Sequence, residues 1–327
     1  MSDSATHWQT RLDQLGGKRD ADGIVRHFSG RADDDPQSTL IIGDQYAVIH
    51  VAGSDATAFL QGQLTTDMQH LADGHWRLAM HLDLKGRGQF SYLLLPANDG
   101  VLMLTERSRA SDAIQALKKY ALVSKVSITM QADQVVLMLS EPPADATLSG
   151  ISLPALGHCH QGPHGILARL DPAHLLLVTN SQAASRLLDH YSVAELGGAD
   201  HWQCQEMRLG LAHILPGGEG LWLPQMLNYD QHQGVSFNKG CYLGQEVVAR
   251  MHFKGKLKQR LRHLYWQAEL SASPGSILRD GSGQAVGELV CAVRLATGTE
   301  AQAVLKLDYS GELHLNRQPL DWHYLDL

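Results

Sequence analysis

Residues 235–250 read Val-Ser-Phe-Asn-Lys-Gly-Cys-Tyr-Leu-Gly-Gln-Glu-Val-Val-Ala-Arg and carry the clearest chemical signal in the chain. Lys239 and Gly240 predict the end of a loop, and the residues from Gln245 onward predict a helix. Cys241 would then lie close to a helix N-terminus with a lysine two residues before it. Such settings lower a cysteine pKa from ~8.5 to ~3.5–7.5. Two interpretations remain open: Cys241 is a reactive thiol with an uncovered sulfur, or it is a small buried apolar residue.

The composition permits large packed cores. It argues against a protein that binds nucleic acid through a net positive charge. The chain has 327 residues, of which 44% are hydrophobic and 19% charged, enough for two or three domains. The formal net charge is -7. A globally basic protein is therefore not expected, although a local basic patch is compatible with this balance.

The cysteines and the apolar segments indicate a cytoplasmic protein. The N-terminus up to Asp22 lacks the apolar stretch of a signal peptide, and no segment approaches the roughly 20 apolar residues of a membrane span. The cysteines are far apart and form no C-x-x-C pair: Cys159, Cys204, Cys241 and Cys291. We therefore expect reduced thiols, no disulfide framework and no contact with a membrane.

Histidines cluster around Cys159, where His158, His160 and His164 are close in sequence. A metal site needs ligands that a turn or helix brings to one point. The neighbouring glycines and proline predict a flexible surface loop instead, so we expect no metal site.

Alternating and helical apolar patterns predict an α+β protein in which antiparallel strands pack against helices. Residues 76–82 alternate apolar and polar side chains, as in a half-buried strand. After residue 257, closely spaced turn residues predict a small antiparallel β-barrel. The predicted segments are a flexible arm at 1–38, an α+β domain at 39–140, a second α+β domain with Cys241 at 141–256 (opening on a linker at 141–150), and the barrel at 257–327.

Several segments resemble the YgfZ family and occur in that family's order. The most specific is the run Lys239-Gly240-Cys241-Tyr242-x-Gly244-Gln245-Glu246. The others are Leu60-Gln61-Gly62-Gln63-Leu64-Thr65-Thr66-Asp67, the turn Asp83-x-Lys85-Gly86, the run Leu117-Lys118-Lys119-Tyr120, and Leu223-Pro224-Gln225-Met226-Leu227-Asn228. The resemblance covers most of the chain after about residue 39.

The resemblance implies a fold like that of the glycine-cleavage T-protein, an aminomethyltransferase, with domains around a central folate cavity and a C-terminal barrel. It implies tetrahydrofolate or a derivative as cofactor, with the domain at 39–140 binding folate. It also implies an accessory role in iron–sulfur cluster assembly or repair, which supports iron–sulfur enzymes, including those that modify tRNA. The implied partners are folate, iron–sulfur assembly proteins or client enzymes, and tRNA only through weak or indirect contact. In the family, activity depends on the cysteine that matches Cys241, here accompanied by Lys239.

Two aromatic residues, Tyr46 and Trp202, fall where the family places residues that line its folate pocket. Aromatic rings suit a flat pterin, since stacking contributes roughly 0.5–1.5 kcal/mol beyond area burial. Tyr46 stands where family members have a tryptophan. For each residue, simple core packing is the alternative interpretation.

Departures from the T-proteins argue against glycine-cleavage chemistry. Phe90 and Ser91 stand where those enzymes place an acidic pair, and residues 162–167 lack their glutamate. The missing carboxylates remove plausible general acid–base groups. We therefore expect an accessory factor rather than an enzyme, and a folate-dependent one-carbon transferase is the alternative.

A run of basic residues follows the cysteine motif: Arg250, Lys254, Lys256, Lys258, Arg260 and Arg262. No Asp or Glu occurs from Val247 to Ala268, and from Lys254 to Arg262 every second residue is basic. A strand over this range would place these charges on one face. That face is either a solvated barrel edge or an anion site for a polyglutamylated folate tail or RNA phosphates. A tRNA-binding module acting through residues 254–262 is therefore a further alternative.

Overall fold

The computed structural model describes residues 3–29, 40–140, 147–148, 151–267 and 272–325. Within these ranges, no helix combines the length and the apolar character that crossing a membrane requires. The predicted linker at 141–150 lies outside the described residues, apart from the short strand at 147–148.

Seven α-helices and twenty-two strands are described. The helices are α1 Asp3–Gln14, α2 Ala56–Gln63, α3 Gln69–Ala72, α4 Ala110–Lys118, α5 Ser181–Leu188, α6 Ala199–Arg208 and α7 Gln245–Lys254. Short 3-10 helices cover Arg107–Arg109, Val193–Glu195 and Pro224–Leu227.

The strands fall into two groups along the chain. The first group is β1 Gly17–Arg19, β2 Val25–Phe28, β3 Leu40–Ile42, β4 Tyr46–Ala52, β5 Arg77–Leu82, β6 Gly88–Ala97, β7 Gly100–Glu106, β8 Ser127–Met130, β9 Gln134–Ser140, β10 Thr147–Leu148, β11 Ile151–Ser152, β12 Cys159–Gly162, β13 Gly165–Arg169, β14 His174–Asn180 and β15 Leu196–Gly197. The second group is β16 Gln259–Trp266, β17 Ile277–Arg279, β18 Ala285–Leu295, β19 Gly298–Lys306, β20 Leu313–Leu315, β21 Gln318–Leu320 and β22 Trp322–Tyr324.

The chain forms two compact units that are interleaved along the sequence. Unit 1 contains the described residues of Met1–Leu60, Met68–Arg77 and Tyr92–Trp202, and unit 2 contains those of Gln61–Asp67, Leu78–Ser91 and Gln203–Leu327. The contiguous domains that the sequence indicates divide the chain differently, and their boundaries stay predictions.

Two sheets dominate the first two thirds of the chain. One has the strand order β12-β13-β14-β9-β3-β15 and is antiparallel, except that β15 runs parallel to β3. The other has the order β5-β6-β7-β4-β8. The register of β4 against β7 pairs Tyr46 with Glu106 and Ala52 with Gly100. Largely antiparallel sheets accompanied by helices are what the α+β prediction requires.

The C-terminal strands form a seven-stranded antiparallel sheet with the order β21-β20-β17-β18-β19-β16-β22. Its fully buried side chains include Leu264, Trp266, Leu289 and Ala303, which pack into one hydrophobic core. The strands begin at Gln259, two residues after the predicted start. The predicted C-terminal barrel is therefore confirmed.

The prediction of a flexible arm for residues 1–38 is wrong for residues 3–29. These residues form α1 and the β1–β2 hairpin, and Trp8, Leu12, Val25 and Phe28 belong to the hydrophobic core of unit 1. Four large apolar side chains spaced among polar neighbours were enough to fold the segment onto the sheet. Residues 1–2 and 30–38 lie outside the described residues.

Asp44, in the turn between β3 and β4, binds this N-terminal segment through its carboxylate. It accepts hydrogen bonds from the backbone N–H of Val25 at 3.0 Å and from Gln9 Nε2 at 3.2 Å. Its oxygens also lie 3.4 Å from Arg19 Nη1 and 2.5 Å from Arg107 Nη2. A carboxylate taken out of water requires such partners, and here two guanidinium groups and two neutral donors supply them.

The prediction of a half-buried strand at residues 76–82 is also wrong. All six residues of β5 are buried, including the polar Arg77 and His81. Burial lowers the pKa of His81 to about 4, so its imidazole is neutral at pH 7. An alternating pattern indicates which residues share a face, and it does not show that the polar face is open to water.

We expect Asp44→Asn to loosen the N-terminal segment by about 2 kcal/mol, because hydrogen bonds to a charged group contribute about 1.5–3 kcal/mol. Native-state hydrogen exchange of residues 17–28, followed by mass spectrometry, should then accelerate about 30-fold. Asp189→Asn is the matched control, since it removes the exposed pair with Arg11 and should cost less than about 1 kcal/mol. Equal exchange in the two variants would contradict the role given to Asp44.

Candidate functional site

Cys241 lies on an exposed loop that leads into α7. We call residues 235–244 the cysteine loop. The side chain of Cys241 is exposed, so the interpretation as a buried apolar residue is wrong. Helix α7 begins at Gln245, so Cys241 precedes the first helical turn. Since the field of a helix terminus falls off within about one turn, the macrodipole acts on this sulfur only weakly.

The segment at residues 61–67 holds one side of the cysteine loop. Thr65 Oγ1 donates a hydrogen bond to the carbonyl of Gly234 at 2.6 Å, and the N–H of Ser236 donates to the carbonyl of Thr65 at 2.9 Å. Thr66 Oγ1 donates to the carbonyl of Gln233 at 3.2 Å. These bonds explain why the Leu-Thr-Thr run accompanies the cysteine motif in this chain.

Lys239 fixes the loop through its ammonium group. Its Nζ donates to the carbonyls of Leu64 and Thr66, at 2.7 Å each, and lies 5.0 Å from the centre of the Tyr242 ring. Burial lowers the pKa of Lys239 to about 8, and the carboxylate of Asp67 partly opposes that shift. These contacts give Lys239 a positioning role, and its predicted influence on the Cys241 thiol stays a prediction.

Gly244 fixes the other end of the loop against the turn that follows β5. Its φ is 79°, which favours glycine, and a Cβ at this position would lie 2.5 Å from the carbonyl oxygen of Asp83. The turn itself is held by Asp83, whose carboxylate accepts the N–H groups of Lys85 at 2.8 Å and Arg87 at 2.9 Å. Gly86 completes the contact, since a Cβ there would lie 2.9 Å from Val247 Cβ.

The other residues of the motif differ in burial and in contacts. Tyr242 is buried, and Gln245 Oε1 accepts a hydrogen bond from its N–H at 3.3 Å. Glu246 is exposed in the first turn of α7. Gly240 has no left-handed φ, and a Cβ there would meet no described atom within 4 Å, so the loop does not require glycine at this position.

Cys241 differs from the other three cysteines in exposure. Cys204 and Cys291 are buried together in a small hydrophobic cluster. Burial raises the pKa values of Cys159 and Cys291 to about 12, so both thiols stay protonated at neutral pH. Because the thiolate is the nucleophile and the metal ligand, the exposed Cys241 stays the predicted site of thiol chemistry.

Tyr46 and Trp202, the two residues expected to line a folate pocket, are neighbours in unit 1. Their rings meet edge to face, with centroids 5.5 Å apart. Trp202 is only 1% exposed, and no described residue forms a hydrogen bond with its Nε1. A Cβ on Gly43 would lie 2.9 Å from the Trp202 ring, so glycine is what permits this packing.

A cavity of about 270 Å³ opens beside Tyr46 within unit 1. Its described lining comprises Trp8, Gln9, Ile42, Gly43, Asp44, Tyr46, Ala47, Val48, Arg107, Met130, Gln131, Ala132, Asp133, Gln134, Val135, Val136 and Ser181. Trp202 is not among these residues and supports Tyr46 from behind. The cavity is apolar along β4 and β9 and polar near the β8–β9 turn, as small-molecule sites commonly are.

The predicted basic strand over residues 254–262 is wrong in its first half. Helix α7 continues to Lys254, Gly255 caps it, and β16 begins only at Gln259. Arg260 is bound to Asp230 by two hydrogen bonds of 3.0 and 2.8 Å, so its charge is neutralised. Arg250, Lys254, Lys256 and Lys258 are exposed, but they extend along a helix end and a linker.

The segment around Cys159 is not the surface loop that its glycines predict. Residues 159–162 form β12, which pairs with β13 in a tight hairpin. The rings of His75 and His158 contact each other at 3.9 Å between centroids. In the part of the chain that the structure describes, no group of three or more His, Cys, Asp or Glu could hold a metal ion.

Ser91, which stands where T-proteins carry an acidic residue, belongs to a buried polar cluster. Its Oγ accepts the N–H of Ile214 at 2.8 Å and lies 3.4 Å from His213 Nδ1. His213 Nε2 lies 3.2 Å from Glu206 Oε1. Sequence reasoning missed His213 and Glu206, because only the fold brings them beside Ser91.

The fold places the chain in the class of aminomethyltransferase-like proteins. It is similar to the glycine cleavage system aminomethyltransferase T from Bartonella henselae, with a TM-score of 0.78 over 97% of this chain and 95% of that chain. The two sequences are 17% identical, so this likeness shows the fold alone. No protein-family model matches the chain.

Relatives named tRNA-modifying protein YgfZ match most of the chain. The protein from Serratia proteamaculans is 33% identical over 85% of this chain and 87% of its own length. Those from Yersinia enterocolitica and Sodalis glossinidius are 32% and 33% identical, over 84% of this chain and 86% and 87% of their own lengths. The chain therefore belongs to the YgfZ family.

We expect Gly244→Ala to destabilise unit 2 by about 3 kcal/mol, because a side chain there adds left-handed strain and overlaps the Asp83 carbonyl. Gly240→Ala is the matched control from the same motif and should change stability by less than about 0.5 kcal/mol. Urea titration with hydrogen exchange of residues 239–254 measures both. Similar losses in the two variants would refute the packing described for Gly244.

Thiol titration of the native protein with Ellman's reagent at pH 8 should reveal one fast-reacting cysteine, because Cys204 and Cys291 are buried and the pKa of the partly exposed Cys159 is raised. Cys241→Ser should abolish the fast phase, whereas Cys159→Ser should leave it unchanged. All four thiols of the wild type should react after unfolding in guanidinium chloride. A second fast thiol in the native protein would contradict this assignment.

Proposed function

We propose that the protein is a folate-binding accessory factor for the assembly or repair of iron–sulfur clusters. In this proposal it supports iron–sulfur enzymes, including those that modify tRNA, and Cys241 is its working thiol. The observation that carries the proposal is the exposed thiol on a loop held by Lys239 and Gly244. The name of the relatives, tRNA-modifying protein, supports clients that act on tRNA.

The chemistry of a single thiol favours a transient role. An iron–sulfur cluster is held by about four ligands, and Cys241 supplies one. Cys204 and Cys291, in the same unit, are buried together in a small hydrophobic cluster. Cys241 would therefore bind iron or sulfur together with groups of a partner protein. A loop fixed at both ends suits this role, because the thiol is presented without an ordering cost.

The cavity beside Tyr46 fits the ring end of a folate better than the whole molecule. Its volume of about 270 Å³ is near the lower end of ligand sites, which span about 300–1,000 Å³. Tyr46 would contact the flat face of a pterin, and Asp133 and Gln134 would accept or donate hydrogen bonds at its polar edge. Tetrahydrofolate, when bound, would supply a carrier for one-carbon units. Trp202 would keep Tyr46 in place.

A one-carbon transferase is less well supported. Phe90 replaces one expected carboxylate, and Ser91 is already engaged by Ile214 and His213. Glu206 pairs with His213 in the interior, so the polar groups of this cluster bind one another and stabilise the fold. General acid–base work on a substrate needs a group within hydrogen-bond reach of it.

The experiment separates the folate site from the thiol by measuring two variants in two assays. Calorimetric titration of tetrahydrofolate should give about fivefold weaker binding for Tyr46→Leu, because stacking on the ring is lost. Cys241→Ser should bind as the wild type does. In cells that lack the native protein, Cys241→Ser should fail to restore the activity of an iron–sulfur enzyme that modifies tRNA.

Tyr120→Leu is the matched control, since Tyr120 is half-exposed and lies outside the cavity. It should behave as the wild type in both assays. Wild-type protein that binds no tetrahydrofolate would overturn the folate part of the proposal. Full cellular activity of Cys241→Ser would overturn the part that concerns the thiol.

A further inference from the structure

Three aromatic rings, one partly exposed and two exposed, form a cluster between the cysteine loop and the C-terminal end of α7. Phe237, on that loop, stacks on His252 of α7 with centroids 3.7 Å apart and an interplanar angle of 12°. Phe253 meets both rings edge to face, at 6.3 Å from Phe237 and 4.8 Å from His252. Phe253 is 66% exposed, which is unusual for a large apolar residue. We call these three residues the aromatic platform.

Exposed basic side chains flank the platform along the chain. Arg250 and Lys254 lie three residues before and one residue after Phe253 on α7, and Lys256 and Lys258 follow in the linker to β16. No Asp or Glu occurs from Val247 to Ala268, and Glu246 lies in the first turn of α7, away from its C-terminal end. The surface at the end of α7 is therefore locally cationic in a protein whose net charge is -7.

We propose that the aromatic platform and these four cations bind single-stranded RNA. Unpaired bases stack on aromatic rings, while phosphates pair with Lys and Arg, and the combination is typical of single-strand binding surfaces. Phosphate contacts give affinity, and stacking on Phe253 gives the preference for unpaired bases. Phe237 belongs to the cysteine loop, so the platform and Cys241 are connected through one short segment of the chain.

The other polyanion that a basic surface attracts is a membrane of anionic lipids. A helix that lies in a bilayer surface needs a broad apolar face. On α7, the exposed residues other than Phe253 are polar or charged, namely Glu246, Arg250, His252 and Lys254. A single phenylalanine is too little apolar surface for this, whereas it is sufficient for stacking one base.

This inference goes beyond the proposed function, which requires folate and a thiol but no RNA contact. Its test uses the purified full-length protein without folate. Fluorescence anisotropy follows binding to a labelled single-stranded RNA of about 12 nucleotides and mixed sequence, over a range of salt concentrations. We expect the logarithm of the association constant to fall linearly with the logarithm of the salt concentration.

Two variants separate stacking from charge. Phe253→Ala should weaken binding about tenfold with an unchanged salt slope, because a stacked base is lost. The double variant Lys254→Gln, Lys256→Gln should reduce the salt slope by about 1.4, since each phosphate contact on a single strand contributes about 0.7. A duplex of the same sequence should bind more weakly than the single strand.

Matched controls come from unit 1. Lys118→Gln, Lys119→Gln removes the same charge from an exposed site elsewhere, and Leu122→Ala removes an exposed apolar side chain. Both should bind the RNA within about twofold of the wild type. Absence of salt-dependent RNA binding in the wild type, or equal weakening by the controls, would overturn the proposal. Binding to phosphatidylserine vesicles without binding to RNA would overturn it in favour of a membrane surface.

Discussion

The bond of the Lys239 ammonium to two backbone carbonyls is the interaction on which the rest of unit 2 around Cys241 depends. A charged donor taken partly out of water must recover its hydration, and the carbonyls of Leu64 and Thr66 provide that replacement at 2.7 Å each. The lowered pKa of Lys239 records the remaining cost of burial. Through these bonds, the segment at residues 61–67 holds the cysteine loop and fixes the position of the exposed Cys241 thiol.

Much of the fold could be predicted from apolar periodicity. The predictions that failed concern features that a local sequence pattern does not reveal. The barrel and α7 carry strong local signals in turn residues and helical spacing. The segment at 3–29 does not, because Trp8 and Leu12 lie among polar residues and share a hydrophobic core with Leu137 and other residues far along the chain. Alternating lysines suggested a strand at 254–262, but the helix ends at Gly255, which a period of two cannot reveal.

The parts of the candidate site that are formed by particular side chains could be predicted from the sequence. The exposure of Cys241 and the proximity of Tyr46 to Trp202 agree with the sequence-based expectations, although the roles of these residues stay predictions. The partners of Lys239 could not be predicted, because backbone carbonyls carry no residue-type signal. The same holds for the cavity beside Tyr46, whose lining comes from residues as distant in sequence as Trp8 and Ser181.

The contact between Gly244 and Gly86 has a consequence for how this protein can change over evolutionary time. Each glycine limits the other: a Cβ on Gly244 would lie 3.1 Å from Gly86 Cα, and a Cβ on Gly86 would lie 3.2 Å from the Gly244 carbonyl oxygen. Crowding in a core is usually relieved when a neighbour becomes smaller, but no residue is smaller than glycine. No substitution at one glycine can therefore make room for a side chain at the other, and a change at either position would require the backbone to move.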